Sequence, residues 1–255
     1  MSDLVSIVIP NFNLGRFAHE AIDSALGQTH RDVEVVVVDD GSTDDSLARI
    51  RAHPGFSRGA FRLVAQPNAG VSVARNEGAR VSRGGHLVFL DADDVLAPTY
   101  VERCLEALHA APRGVAYAYT QMQHFGADDA VFASLPFDRR VLLRGNFVNA
   151  SALVRREAFE AAGGFDPSFT LGYEDYELWV RMLSLGHVGV LVPEALLRYR
   201  RHAAPSRNTL TEEQLLALRL DIAVRHPGLL WREILRHPGH AWAARRRRRA
   251  SRRLR

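Results

Sequence analysis

The sequence lacks several features, and each absence narrows the class of protein. It contains no lysine, so arginine supplies all 33 of its fixed positive side-chain charges. Cys104 is the only cysteine, which excludes an internal disulfide and fits a reducing compartment. No uninterrupted apolar run approaches the roughly 18 residues of a membrane-spanning helix. Residues 1–3 lack the basic and apolar regions of a signal peptide, so we expect a cytoplasmic protein.

Positive charge is concentrated at the C-terminus. The formal net charge is +4, but 8 of the 33 arginines lie in residues 245–255, which leaves 25 basic against 29 acidic residues elsewhere. With Trp231 and Trp242 nearby, this tail has the composition of a segment that attaches to an anionic membrane, here the inner face of the plasma membrane. A solvated tail is the alternative. No nucleic-acid binding is expected, because the acidic body shows no second basic patch.

Strand-like and helix-like segments alternate through the first half of the chain. Such repetition predicts an α/β fold, a mostly parallel Rossmann-like sheet flanked by helices, with ligands bound beyond the carboxyl ends of the strands. Ser42 and Asp45 match a capping box for the helix that ends near Ile50. The predicted strands are residues 5–10, 33–38, 61–65 and 87–90.

The second half of the chain is less regular. A helix over 98–109 and a strand over 115–119 precede residues 121–140, which show no period and predict a loop or hairpin. Residues 147–154 favour a strand, a helix opens at 173, and residues 187–201 favour one or two strands. From about 209 the sequence favours helix, interrupted where Arg-His-Pro-Gly occurs, at 225–228 and at 236–239. We therefore divide the chain into a main domain, 1–207, and a C-terminal helical appendage, 208–255, that carries the arginines.

Three carboxylates follow the fourth predicted strand, in the segment Asp91-Ala92-Asp93-Asp94. Neighbouring carboxylates repel one another unless a cation lies between them, and oxygen ligands suit magnesium or manganese. Magnesium held in this way commonly shares its ligands with substrate phosphates. The alternative is an aspartate-rich turn that leads into the helix beginning near Pro98.

Five short blocks carry a resemblance to a known family. They are residues 5–13 (VSIVIPNFN), 38–44 (VDDGSTD), 68–76 (with Asn68-Ala69-Gly70 and Ala74-Arg75-Asn76), 90–94 (LDADD) and the pair Glu174-Asp175. In this order and spacing they resemble a family 2 glycosyltransferase of the GT-A fold, over residues 4–206. The resemblance implies a nucleotide-sugar donor, a divalent metal, either magnesium or manganese, and inversion at the anomeric carbon.

The resemblance also implies roles for individual residues. Asp175 would be the catalytic base, Asp93 a metal ligand, and His202 a further metal ligand. Asp40 would bind the nucleobase, which favours a UDP or dTDP sugar. Glu174 and Trp179 would lie on the acceptor side. The implied donor-binding residues are Pro10, Phe12, Asp40, Gly70, Arg75, Asp91, Ala92, Arg200 and Ser206.

Ordinary structural roles compete with these assignments. Asp40-Gly41 is also a common turn pair, and acidic residues such as Glu174 and Asp175 are favoured at any helix N-terminus. The Gln-x-x-Arg-Trp motif of processive family members is absent, which favours transfer of one sugar per event. The resemblance implies a glycan or lipid-linked acceptor, in the synthesis of a cell-surface polysaccharide or glycolipid. The alternatives are a nucleotidyltransferase that makes nucleotide sugars and a non-catalytic nucleotide-sugar-binding protein.

Overall fold

The computed structural model describes residues 3–202 and 210–229 of the 255-residue chain. Strands and helices alternate through the first half, as the sequence predicts. The strands are β1 (Val5–Asn11), β2 (Val33–Asp40), β3 (Arg62–Gln66), β4 (His86–Phe89), β5 (Val95–Leu96), β6 (Val115–Gly126), β7 (Val131–Phe132), β8 (Leu153–Arg155) and β9 (Val188–Arg201). The helices are α1 (Gly15–Leu26), α2 (Ser46–Ala52), α3 (Pro54–Ser57), α4 (Val71–Val81), α5 (Tyr100–Ala110), α6 (Arg139–Leu142), α7 (Arg156–Ala161), α8 (Glu174–Ser184) and α9 (Glu212–Arg225).

The strands of the described residues form one mixed sheet in the order β3-β2-β1-β4-β8-β6-β9-β5, with β7 paired to β6. The first four run parallel, and β6 pairs parallel with β9. Strand β8 lies antiparallel to both β4 and β6, and it joins the two parallel halves. The predicted α/β fold with a mostly parallel, helix-flanked sheet is confirmed.

Helices cover both faces of the sheet, which explains the continuous apolar strands in the sequence. On one face Ile7 and Val37 pack against Ile22 of α1 and against α5. On the other face Val8 packs against α4, where Gly78 permits close approach, because an added Cβ would lie 2.2 Å from Val8 Cγ1.

Two local predictions are wrong, each for a tertiary reason. Ser42 does not cap α2, which begins at Ser46, because its Oγ accepts from Asn11 Nδ2 at 3.1 Å and from the backbone N of Asn13 at 3.0 Å. Asp44 instead accepts from the backbone N of Ser46 at 2.9 Å. Of the strand predicted over 147–154, only β8 forms, because the preceding residues turn the chain and pack their side chains inward. Residues 121–140 include the hairpin of β6 and β7, one of the two predicted alternatives.

The C-terminal helix α9 begins with a capping box between Thr211 and Gln214 and ends at the first Arg-His-Pro-Gly, as predicted. Two contacts hold its end to the main body: Arg225 with Asp166 at 2.6 Å, and His226 Nε2 with Glu177 at 3.0 Å. The 207/208 boundary, the second Arg-His-Pro-Gly, Trp231, Trp242 and the arginine tail lie outside the described residues. Over residues 3–202 and 210–229, no helix has the length and apolar character needed to cross a membrane.

Candidate active site

The polar residues that follow β1 and β2 meet at the carboxyl edge of the sheet. Asn11 donates from Nδ2 to Asp39 Oδ1 at 2.8 Å and to Ser42 Oγ at 3.1 Å. Asn13, which has a left-handed backbone (φ 57°), accepts from the backbone N of Thr43 at 2.8 Å. The two loops are therefore tied to each other by side chains, and together they form one wall of the edge. Pro10 is buried in this wall and Phe12 is half-buried beside it.

Asp40 is buried and uses both carboxylate oxygens within the protein. Oδ1 accepts from Gln66 Nε2 at 2.7 Å and from the backbone N of Ala69 at 2.9 Å, and Oδ2 accepts from the backbone N of Gly70 at 2.8 Å. These bonds order the loop that starts α4, where Gly70 has a φ of +94° that favours glycine. Recognition of a nucleobase by Asp40 stays a prediction, since the carboxylate already serves the loop.

Arg75 is a buried cation that joins two parts of the site. Its Nη2 donates to Asp91 Oδ1 at 2.8 Å and its Nη1 donates to Glu174 Oε1 at 2.7 Å, while the side chain is 3% exposed. The guanidinium also lies 5.1 Å from the ring centre of Phe165. The two carboxylates raise the pKa of Arg75 above its usual range against the opposing effect of burial. Arg75 therefore links the end of β4 to the start of α8.

Asp93 and His202 face each other at the predicted metal position. His202 Nε2 lies 2.7 Å from Asp93 Oδ2, and both side chains are partly open to solvent. Burial, together with the charge of Asp91, raises the pKa of Asp93. A divalent cation fits such a pair, because it relieves the repulsion between Asp91 and Asp93 and accepts oxygen and imidazole ligands. No group of three or more His, Cys, Asp or Glu residues is arranged as a metal cage within residues 3–202 and 210–229.

Arg200 is engaged in the protein rather than directed to open solvent. Its Nη2 donates to Glu20 Oε2 at 2.8 Å and its Nε donates to the carbonyl of Asp93 at 2.9 Å. The guanidinium lies between two rings, 4.4 Å from the centre of Phe17 and 4.2 Å from that of Phe125. Its contact with the donor diphosphate stays a prediction, and it would require the bonds to Glu20 and to the carbonyl of Asp93 to break. Ser206 lies outside the described residues.

Asp94 has a larger structural role than a turn residue. It is 3% exposed, and its Oδ1 accepts from the backbone N of Arg200 at 2.8 Å, which ties the aspartate segment to β9. Burial, followed by the charges of Asp91 and Asp93, raises the pKa of Asp94 well above its ordinary value. The neighbouring Ala92 is fully buried and contributes packing beneath the segment.

Asp175 lies in the first turn of α8, half-buried at the wall of a cleft of about 630 Å³. Its Oδ2 accepts from Asn146 Nδ2 at 2.9 Å, and its Oδ1 accepts from the backbone N of Tyr176 at 2.7 Å. Burial and then the charge of Glu174 raise the pKa of Asp175 to about 7. A carboxylate with such a pKa is suited to accept a proton near neutral pH.

The cleft brings Arg75, Asp91, Glu174 and Asp175 to one surface. It does not include Trp179, which is fully buried and stacks on Tyr117 with ring centres 4.6 Å apart. Further lining residues are Asn146, Phe147, Asn149, Tyr173 and Tyr199. Tyr199 belongs to the segment 199–202 that also carries Arg200 and His202, and Tyr173 directly precedes α8. The sequence assigned no role to Asn146, Phe147 and Asn149, because the fold alone brings them to this cleft.

Comparisons with known proteins match large parts of the chain. The model of glycosyl transferase family 2 matches residues 6–162, and that of glycosyl transferase family group 2 matches residues 86–249. A chondroitin synthase of Escherichia coli is 30% identical over 187 residues, which are 72% of this chain and 27% of that protein. The chain thus spans about a quarter of the length of that relative.

Two solved structures share the fold. TarS 1–349 of S. aureus in complex with UDP-GlcNAc aligns with a TM-score of 0.70 at 18% identity, over 86% of this chain and 65% of that one. The mannosyltransferase PcManGT of Pyrobaculum calidifontis in complex with GDP-Man and Mn2+ aligns with a TM-score of 0.60 at 22% identity, over 80% and 58%. At these identities the likeness establishes the fold, which is of the GT-A type.

Proposed function

The chain belongs to glycosyl transferase family 2, and from this membership we propose that it moves one sugar from a nucleoside-diphosphate sugar to an acceptor hydroxyl, with inversion at the anomeric carbon. The observation that carries the proposal is the meeting of Asp175 with Asp91 in one cleft, linked through Glu174 and Arg75. The first carboxylate has the pKa of a base, and the second belongs to the aspartate segment of the donor side.

Asp175 would act on the acceptor. With a pKa of about 7, the carboxylate is ionised in about half of the molecules at neutral pH and is still basic enough to take a hydroxyl proton. As the proton moves to Asp175, the acceptor oxygen forms its bond to the anomeric carbon and the bond from that carbon to the diphosphate breaks. A single displacement of this kind inverts the carbon and needs no enzyme nucleophile.

Asp93 and His202 would hold the divalent metal, magnesium or manganese. The pair supplies two ligands, which suits a cation that completes its coordination with substrate phosphate oxygens and water. When bound, the ion neutralises the charge that develops on the leaving diphosphate. The Mn2+ bound by the mannosyltransferase of similar fold supports the use of a divalent metal.

The donor and acceptor classes are part of the proposal. The UDP and UDP-GlcNAc complexes of TarS support a uridine donor, in line with the UDP or dTDP sugar expected from Asp40. The similarity to a chondroitin synthase supports a glycan or lipid-linked acceptor, in the synthesis of a cell-surface polysaccharide or glycolipid. We do not retain the nucleotidyltransferase alternative, because the matching family models are those of glycosyl transferases.

Location is likewise proposed. The enzyme would work in the cytoplasm, at the inner face of the plasma membrane, with the arginines of 245–255 on anionic lipid. Co-sedimentation with anionic vesicles, for the full chain and for the chain without residues 240–255, tests this placement. Equal binding by both chains would refute it.

The test of function combines binding with turnover. UDP, dTDP and GDP are screened by thermal shift with and without manganese, and nucleoside-diphosphate release is followed with the matching sugar donors. We expect a metal-dependent shift with one nucleotide, and a large loss of turnover in Asp175→Asn with the shift retained. Turnover that survives in Asp175→Asn would refute the role of the base. No shift with any nucleotide would contradict the donor proposal as a whole.

A further inference from the structure

Asn146 is the one side chain whose bond to Asp175 comes from outside helix α8 among the hydrogen bonds of the described residues. It lies between α6 and β8, in the segment that the sequence predicted to be partly strand. Its Oδ1 accepts from the backbone N of Val148 at 3.1 Å, which forms a local turn and fixes the rotation of the amide. The Nδ2 group is thereby directed at Asp175 Oδ2, 2.9 Å away.

We infer that Asn146 is a positioning residue, which holds the Asp175 carboxylate in the orientation needed to take the acceptor proton. The inference rests on the proposed function of Asp175. The backbone N of Tyr176 holds Oδ1 from within α8, while Asn146 holds Oδ2 from the segment between α6 and β8. The carboxylate is thus fixed at both oxygens by uncharged donors, and each oxygen keeps a lone pair for a substrate proton.

The chemistry of the hydrogen-bond donor Asn146 matters as much as its position. An amide stabilises the ionised carboxylate without neutralising it, whereas an arginine in the same place would lower the basicity of Asp175 much further. Asn146 therefore offsets part of the effect of burial and keeps the base available near neutral pH. The charged groups that line the same cleft are Arg75, Asp91, Asp94, Glu174 and Arg201.

Two substitutions separate this role from a structural one. Asn146→Ala removes both the turn and the bond to Asp175. Asn146→Ser keeps a hydroxyl that can accept from the backbone N of Val148, but it is too short to reach Asp175. A merely structural residue would tolerate serine, whereas a positioning residue would lose its effect in both variants. Asn149→Ala is the matched control, because Asn149 lies in the same segment and donates to the carbonyl of Thr120 instead.

The measurement is a direct titration of Asp175 by carboxyl carbon NMR in the full chain, with the signal assigned from Asp175→Asn. We expect the pKa of Asp175 to rise by roughly one unit in Asn146→Ala and in Asn146→Ser, and to stay in place in Asn149→Ala. An unchanged pKa in Asn146→Ser, with folding intact by circular dichroism, would overturn the inference. This titration needs no substrate, so it does not depend on whether sugar transfer is demonstrated.

The kinetic readout follows from the same shift. The acid limb of kcat/KM should move to higher pH by the same amount, kcat at pH 7 should fall several-fold, and the KM for the donor should be unchanged. Activity lost equally at every pH would overturn the inference, because it would indicate a general loss of structure. If the pKa of Asp175 shifts as expected but neither the wild type nor any variant transfers sugar, the result would instead contradict the proposed function.

Discussion

Replacing Arg75 with methionine should destabilise the protein severely. Methionine keeps the length and apolar stem of the side chain but removes the charge, so Asp91 and Glu174 lose their bonds of 2.8 Å and 2.7 Å. Breaking a buried ion pair by removing one partner costs about 3–5 kcal/mol, because the remaining charge is left buried and unpaired. Here that charge is chiefly the one on Glu174, which is 12% exposed, because Asp91 is 36% exposed and stays in contact with water. For a chain of this size we expect the unfolding midpoint to fall by roughly 6–20 °C.

The matched control lies on the same helix. Arg80 donates from two nitrogens to Glu77, each at 2.7 Å, but its side chain is 70% exposed. Arg80→Met should barely move the midpoint, because exposed pairs contribute little. Both variants are compared with wild type by urea unfolding at pH 7 and by thermal melting followed by circular dichroism.

Two results would refute this account of Arg75. The double variant Arg75→Met, Glu174→Gln should recover part of the loss, because it removes one of the two unpaired carboxylates. A single variant within about 1 kcal/mol of wild type, or a double variant with additive losses, would show that the bridge does not act as a buried ion pair.

Three further predictions follow from other sites. Gly78→Ala should lower the melting temperature, because the new Cβ would lie 2.2 Å from Val8 Cγ1, and Val8→Ala should restore most of it; a melting temperature unchanged by Gly78→Ala would contradict this packing. Burial, and then the charge of Arg155, lowers the pKa of His86 from 6.5 to about 4, so the folded state binds fewer protons than the unfolded chain between these values. The free energy of unfolding should therefore keep its full value above pH 6.5 and fall by up to about 3 kcal/mol as the pH drops to 4. In His86→Leu, urea unfolding should show no such dependence of the free energy on pH over this range. Asp93→Asn and His202→Ala should each abolish the manganese dependence of the nucleotide thermal shift, and a shift that keeps its dependence in both would contradict the metal assignment.

The sequence predicted the elements whose side chains face one environment throughout. Strands β1 and β4 are recognisable because buried strands have continuous apolar runs. The rule that ligands bind at the carboxyl edge of such sheets then located the aspartate segment correctly within the fold. Such apolar strands and the polar residues that end them can be recognised from neighbouring residues, so a single sequence is sufficient to predict them.

Features that depend on contacts between distant residues were not predictable. The capping box failed because the Ser42 hydroxyl accepts from Asn11 and Asn13 of the neighbouring loop, about 30 positions away, rather than from the helix. The resemblance placed Trp179 on the acceptor side, yet α8 carries it into the core, where it stacks on Tyr117. Asn146 had no assigned role, since its significance comes only from its bond to Asp175, which lies 29 positions away in the sequence.

Arg75 explains why the two halves of the site must be considered together. Helix α4, which carries it, belongs to the parallel half of the sheet with the aspartate segment, whereas Glu174 begins the helix that holds Asp175. The bond from Arg75 to Glu174 spans 99 positions of sequence, and the bond to Asp91 spans only 16. Because one rigid guanidinium makes both bonds, Asp91 and the start of α8 cannot move apart without breaking an ion pair of the buried Arg75. Under the proposed function, this bridge would fix the distance over which the acceptor oxygen must reach the sugar.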